Sequence, residues 1–132
     1  MQIAAHGVHT TGFCHLDPAS LRAEGRFFDT LAANFSVFNA SQQVLDLWVS
    51  ATVGWYDGVC GLLVGVLERG GIIEQLPPAT GRGVRLLLPY DLMPFEFFGA
   101  SVLDLEISVE TPDRTGIYNR YIFRDAVVLV PA

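Results

Sequence analysis

The C-terminal stretch, residues 101–132, constrains the fold more than any other part of the chain. Apolar residues alternate there with polar ones, the polar set being Asp104, Glu106, Ser108 and Glu110. Successive side chains of a β-strand point to opposite faces, so this pattern predicts a strand with one buried and one solvated face. A turn-rich segment, 112–116, and a second apolar-rich run, 117–130, follow. The stretch therefore predicts a β-hairpin that packs one face against a core.

The register of this hairpin can be predicted from its loop. A three-residue loop, 114–116, would put its glycine at the left-handed position that such loops require. Counting from this loop pairs Glu110 with Arg120 on the solvated face. It also pairs Glu106 with Arg124 on that face. We therefore expect two cross-strand ion pairs, and a slip by one residue is excluded because it would exchange the core and solvent faces.

Period-two patterns also occur in the middle of the chain. The alternation that begins at Val44, followed by Asp57-Gly58, predicts a second hairpin, because this dipeptide fits a two-residue hairpin turn. The turn would pair Val53 with Leu62. Turn residues near Gly70 and several prolines bound shorter apolar runs, so the predicted strands of this part are 44–53, 59–67, 72–76 and 84–88. The second of these strands is apolar on both faces and is therefore placed at the centre of the sheet.

One segment follows a different period. Asp17 and Pro18 resemble the start of a helix, with the aspartate as N-cap and the proline in the first turn. Phe27, Leu31 and Phe35 follow at intervals of four, which is a spacing that places residues on one helix face. The sequence therefore predicts one short helical segment over about 18–34.

These elements together predict the fold class and the domain organisation. They favour a mainly β fold, an antiparallel β-sandwich or barrel of about 6–8 strands with the one helical segment. The 132 residues are enough for a core without disulfides or metal, so we expect a single domain over 1–132. Residues 1–16 are expected to form either a short strand with a loop or an extended arm that packs on a neighbour.

Composition limits the classes of partner. Only 17% of the residues are charged and 51% are hydrophobic, so much of the surface must be apolar or neutral. Such surface is often buried in an oligomer or assembly, although a compact monomer with a large core is the alternative. The formal net charge is −6, which disfavours nucleic acid and anionic membranes as partners. The basic residues are all arginines, so lysine-based Schiff-base and phosphate-loop chemistry is excluded.

The sequence also predicts where the protein is made. Its N-terminus lacks the basic segment and apolar run of a signal peptide. Asp46 and Asp57 interrupt the longest apolar stretch, so no transmembrane segment is predicted. Two cysteines are too few for a disulfide framework. We therefore expect a soluble protein made in the cytoplasm.

A cluster near the N-terminus is the candidate metal site. It combines every histidine of the chain with one cysteine: His6, His9, Cys14 and His15. These residue types are zinc ligands. Glycines and threonines around them disfavour a helix, and on a strand the first two histidines would face opposite sides. An arm with incidental histidines is the alternative, and no cofactor is predicted.

Aromatic residues define the candidate ligand pocket. A barrel mouth could be lined by Trp48, Trp55 and Tyr56 together with Phe95 and Phe97 of an aromatic loop over 89–100. Such a pocket would suit a small-ligand-binding protein or a small enzyme. Catalysis also requires convergent polar groups, and the apolar faces of the predicted strands offer few. We identify no catalytic residue.

The sequence favours a structural or interaction role over catalysis. We expect a β-domain that binds copies of itself or other proteins of an assembly, and components of virus or phage particles are one such class. The contacts would come from the projecting hairpin loop and from arginines that the hairpin does not use. The candidate interface residues are Pro112, Asp113, Arg114, Thr115, Arg82 and Arg85.

Overall fold

The computed structural model describes residues 6–9, 14–26, 30–57, 62–89 and 102–130. These residues form the strands β1 (His6–His9), β2 (Cys14–Arg26), β3 (Thr30–Asn39), β4 (Leu45–Asp57), β5 (Leu62–Leu76), β6 (Thr80–Pro89), β7 (Val102–Glu110) and β8 (Ile117–Val130). The described ranges contain no helix of the length and apolarity that a membrane span needs. The mainly β fold that the sequence predicts is confirmed.

The strands form two sheets that pack in a sandwich-like arrangement. The first sheet has the order β5-β4-β7-β8, with β1 paired to β8, and the second has the order β2-β3-β6. Neighbours within each sheet are antiparallel. A short parallel pairing joins the sheets, with Gly25 of β2 opposite Leu129 of β8 and Arg26 opposite Val130. At the other side of the molecule, β5 and β6 end the two sheets next to each other.

The core lies between the sheets and comes from alternate strand positions. In β4 and β7 the period-two pattern identifies the buried face correctly: Leu47, Val49, Ala51, Val53, Leu103, Leu105, Ile107 and Val109. The second sheet supplies Leu31, Ala33, Phe35, Val37, Leu86 and Leu88. Burial of this apolar surface is the main favourable contribution to folding.

Two buried asparagines connect the sheets by hydrogen bonds. The Leu16 N–H of β2 donates to Asn119 Oδ1 of β8 at 2.8 Å. The Asn39 Nδ2 of β3 donates to the carbonyl of Leu76 in β5 at 2.9 Å. Both asparagines have no exposed surface. Their side chains can be buried because these bonds satisfy polar atoms that would otherwise lose water without compensation.

The predicted helical segment over about 18–34 is wrong. Its described residues lie in β2 and β3. Asp17 Oδ1 does accept the Ala19 N–H, but this turn forms a bulge in β2, where the pairing with β3 shifts between Asp17 and Arg22. An interval of four is even, so it also places residues on one face of a strand. Leu31 and Phe35 are both buried in β3 for that reason.

The C-terminal hairpin has the predicted core face but not the predicted register. Its outer face is not solvated as predicted, since Asp104, Ser108 and Glu110 are buried. Arg120 lies opposite Ser108, and its Nε is 2.9 Å from Glu106 Oε1, where Glu110 was expected. The loop extends over 111–116, and Arg114 adopts the left-handed conformation, with φ of 62°. The register therefore differs by two residues from the prediction. A shift of two preserves the faces because the side-chain period of a strand is two.

The second hairpin also differs in register. Val53 lies opposite Leu67, not Leu62, because β4 continues to Asp57 and the described pairing starts with Asp57 opposite Leu62. Residues near Gly70 do not turn the chain; they lie inside the continuous strand β5. This strand is at an end of its sheet and not at the centre as predicted.

Two strands are interrupted by bulges of the same construction. In β8, Asp125 adopts φ of 54° and its N–H donates to Asp104 Oδ1 of β7 at 2.8 Å. In β5, Gln75 adopts φ of 52° and its N–H donates to Asp46 Oδ1 of β4 at 2.8 Å. In each case an aspartate on the neighbouring strand binds the N–H that the bulge removes from the ladder.

Candidate interaction surface

The loop between β7 and β8 is exposed and is held by its own hydrogen bonds. Asp113 Oδ1 accepts the Thr111 hydroxyl at 2.6 Å, the Thr115 hydroxyl at 2.8 Å and the Thr115 N–H at 3.1 Å. The bonds from Thr111 and then from Thr115 lower the pKa of Asp113 to about 2. The loop therefore presents a fixed and ionised carboxylate. It contains four of the predicted interface residues, which are Pro112, Asp113, Arg114 and Thr115.

Arg114 turns back from this loop onto the outer face of the first sheet. Its Nη2 lies 2.9 Å from Glu68 Oε1 of β5, and its Nε lies 3.6 Å from Glu110 Oε2 of β7. Its guanidinium carbon stands 5.3 Å from the ring centre of Trp48 in β4. The arginine thus spans three strands, and cation–π attraction adds to the two ion pairs.

The remaining charges of this outer face are also paired. Arg120 pairs with Glu106, and Arg124 Nε lies 3.4 Å from Asp104 Oδ2. Burial raises the pKa of Glu106, and Arg120 partly offsets this effect. We name the outer surface of β5, β4, β7 and β8, from Glu68 to Arg124, the paired face. Every arginine of β7, β8 and their loop that the structure describes has a carboxylate partner there.

A cleft opens where β5 and β6 end their sheets. Its volume is about 490 Å³ and its apolar floor is formed by Val49, Gly71, Ile73, Val84 and Leu86. Charged and apolar side chains form the rim: Ile72, Glu74, Arg82 and Arg85. Ile72 keeps 55% of its surface exposed. Within the described ranges, β5 pairs only with β4 and β6 only with β3, so each presents an open strand edge to the cleft.

Both arginines of the rim belong to the predicted interface, and the structure brings them together. Arg82 Nη1 donates to the backbone carbonyl of Glu74 at 3.1 Å and so reaches across the cleft. Neither Arg82 nor Arg85 forms an ion pair with a described residue. A guanidinium carries five donors, so most of this capacity remains for a partner. The hairpin loop lies beside this rim, because its Arg114 stands over Trp48, and the residue opposite Trp48 in β5 is Ile72.

The predicted metal-site residues are only partly described. Cys14 is fully buried in β2, and burial raises the pKa of its thiol to about 11. His15 is half-buried and, as the next residue of the strand, points to the opposite face. The side chains of His6 and His9 lie outside the described part. Among the described side chains, no three histidine, cysteine, aspartate or glutamate residues are grouped as metal ligands.

The predicted ligand-pocket residues are not all described either. Trp48 lies on the paired face, beneath Arg114, and not in a barrel mouth. The side chains of Trp55 and Tyr56 are outside the described part, as are Phe95 and Phe97 with most of the 89–100 loop.

Sequence reasoning missed the close approach of Trp48 to Gly70. An added Cβ at Gly70 would overlap Cζ2 of the indole and lie 2.7 Å from its Cε2. The two residues are near neighbours across β4 and β5, where Ser50 is opposite Gly70. Glycine in a strand often marks such an approach by a large side chain, so this signal was available in the sequence.

Comparisons with known proteins identify a fold and no family. No family model matches the chain, and no curated protein matches it in sequence. A β-glucosidase from Paenibacillus barengoltzii is similar over 95% of this chain and 15% of its own, with 17% identity and a TM-score of 0.50. A β-glucosidase from Listeria innocua matches over 90% and 16%, with 12% identity and a TM-score of 0.51.

Part of a DNA glycosylase has a similar fold as well. The alkylpurine DNA glycosylase AlkC from Pseudomonas fluorescens matches over 92% of this chain and 31% of its own, with 8% identity and a TM-score of 0.50. This chain thus spans only a small part of each of these proteins. At such identities the likeness shows the sandwich-like fold alone.

Proposed function

We propose that this chain is a structural or interaction domain that self-associates or packs with other proteins into a larger assembly. The observation that carries the proposal is the cleft between β5 and β6. It combines two open strand edges with the exposed Ile72 and with two arginines that lack a carboxylate among the described residues. Open edges and exposed apolar side chains are surfaces that proteins usually cover by pairing with a partner.

The composition supports a protein partner over other classes. A chain with net charge −6 repels nucleic acid and anionic membranes, and the low fraction of charged residues favours contact with protein surface. Components of virus or phage particles are one class of assembly that such a domain would suit.

The experiment is a measurement of molar mass against concentration. Size-exclusion chromatography with light scattering would be run on the whole chain from micromolar to millimolar concentrations. We expect a mass that rises with concentration beyond the 14.4 kDa of one chain, and a smaller rise at high salt because charged rim groups contribute. A constant mass of one chain throughout would exclude self-association. If the monomeric chain then also bound none of the proteins co-expressed with it, the assembly role would be excluded.

A further inference from the structure

We infer that the chain self-associates head to tail, with the loop 111–116 of one copy seated in the β5–β6 cleft of the next. This inference rests on the proposed function and names its contact. The loop and the cleft are separate surfaces of one chain and are complementary in charge. In a head-to-tail arrangement each contact joins one loop to one cleft, and the other loop and the other cleft of the pair stay open to further copies.

Charge complementarity is the first argument. All three hydrogen bonds that the loop makes to the Asp113 side chain end on Oδ1, so Oδ2 can accept bonds from a partner. The rim of the cleft carries Arg82 and Arg85 against the single acid Glu74. An arginine fork binds a carboxylate by charge-assisted hydrogen bonds that are stronger than neutral ones.

Shape and rigidity are the second argument. The loop tip offers the proline ring of Pro112 beside Asp113, and both residues are exposed. The cleft offers an apolar floor beneath a charged rim, with a volume of about 490 Å³. A loop held by its own hydrogen bonds loses little conformational entropy when it binds.

The arginines of the paired face are poor competitors for Asp113. Arg114, Arg120 and Arg124 already have carboxylate partners. Arg85, on the cleft rim, has none among the described residues. The carboxylate of a docking loop therefore gains the most interaction energy at the cleft rim.

The test uses one loop variant and one cleft variant of the full chain. Asp113→Asn keeps an oxygen for the internal hydrogen bonds and removes only the charge. Arg85→Glu reverses the charge of a rim arginine without breaking a described ion pair. Each should weaken self-association by about tenfold or more, since a hydrogen-bonded charge pair is lost. Asp125→Asn, which changes an exposed charge on β8, should stay within about twofold of wild type.

Mixing the two variants makes the test specific for a head-to-tail contact. The intact loop of Arg85→Glu can bind the intact cleft of Asp113→Asn, and the remaining loop and cleft are both defective. We expect the mixture to form a dimer of one chain of each kind and to stop there. Circular dichroism of each variant should match wild type, so that loss of association is not loss of folding.

Each outcome decides the matter. Wild-type chains that associate while both variants associate equally well would overturn the docking inference and leave the proposed function intact. Variants that weaken association but form no mixed dimer would exclude the head-to-tail arrangement. A wild-type chain that remains monomeric at every concentration would overturn the self-association proposal and, with it, this inference.

Discussion

The paired face and the β5–β6 cleft both carry several charged residues, but the two regions differ in whether their arginines have carboxylate partners among the described residues. On the paired face Arg114, Arg120 and Arg124 are each matched to a carboxylate on a neighbouring strand. At the cleft rim Arg82 donates to a backbone carbonyl, and neither Arg82 nor Arg85 has an ion-pair partner in the described ranges. The arginines of the first region find their partners within one chain, whereas those of the second have unused hydrogen-bonding capacity.

This difference indicates what each region contributes. Cross-strand ion pairs on the outer face of a sheet fix the neighbouring strands and their register and add modest stability. Unpaired arginines beside open strand edges add nothing of this kind to one isolated chain. An unprotected strand edge invites unwanted pairing with other chains, so we expect such an edge to be retained where a partner covers it. Mutations that act on stability should therefore be concentrated on the paired face, and mutations that act on association at the cleft.

The largest effect on stability is expected from the bulge of the paired face. Asp104→Ala removes both the acceptor of the Asp125 N–H and the ion-pair partner of Arg124. Because Asp104 is only 7% exposed, we expect a loss of about 2–3 kcal/mol. Asp46→Ala removes the matching acceptor of Gln75 at the exposed bulge of β5 and should cost about 1 kcal/mol or less, because water replaces it. Urea unfolding of the two variants measures both values. Equal losses would show that burial does not distinguish the bulges.

A pair of glycines gives the next comparison. Gly70→Ala would force the Trp48 ring away from its place beneath Arg114, at a cost of about 1–3 kcal/mol. Gly83→Ala, at the cleft, places a Cβ where no atom lies within 4 Å, so its effect should be within about 0.5 kcal/mol. The measurement is again the free energy of unfolding. In the double variant Trp48→Ala with Gly70→Ala, most of the penalty at Gly70 should disappear; its persistence would place the strain elsewhere.

The smallest effect concerns two arginines and depends on pH. Arg120→Gln removes the partner of Glu106, whose pKa burial already raises, so we expect a loss of about 1 kcal/mol near neutral pH. The loss should shrink in acid, because protonation of Glu106 removes the buried charge that Arg120 offsets. Arg85→Gln should change stability by less than about 0.5 kcal/mol at either pH. An Arg85→Gln variant as unstable as Arg120→Gln would mean that the cleft arginine has a structural role within the chain.

The C-terminal hairpin shows which parts of a fold a local pattern predicts. The alternation of charged and apolar residues in β7 identified the buried face, and a register error of two residues did not disturb that face. The error came from the loop. Hydrogen bonds to Asp113 stabilise a six-position loop, and Arg114 replaces Gly116 in the left-handed conformation. Such a network depends on side chains meeting in space, which a count of turn residues does not represent.

The β2–β3 region shows the opposite case, in which a local pattern was ambiguous. The interval of four from Leu31 to Phe35 fits a helix and a strand equally. Pairing with β6 and packing against the first sheet decided for the strand, since Leu31 lies opposite Leu88 and Phe35 opposite Val84. The Asp17 turn signal was real, but its consequence was a bulge.

The candidate interface residues were named from the sequence without their positions in space. Arg82 and Arg85 were chosen because the hairpin was expected to use other arginines. No local pattern indicated that β5 and β6 would end their sheets side by side.

The sequence by itself determined the mainly β character of the fold and the core-facing residues of β4 and β7, because side-chain alternation is a property of neighbouring residues. Tertiary structure alone decided the registers, the position of β5 at a sheet end and the exposure of the cleft. These depend on bulges and on contacts between residues far apart in the chain, such as Asn39 with Leu76 and Arg114 with Glu68. Which side of β7 forms the paired face follows from the first kind of information, whereas the ion pairs of that face and the unpaired arginines of the cleft follow from the second.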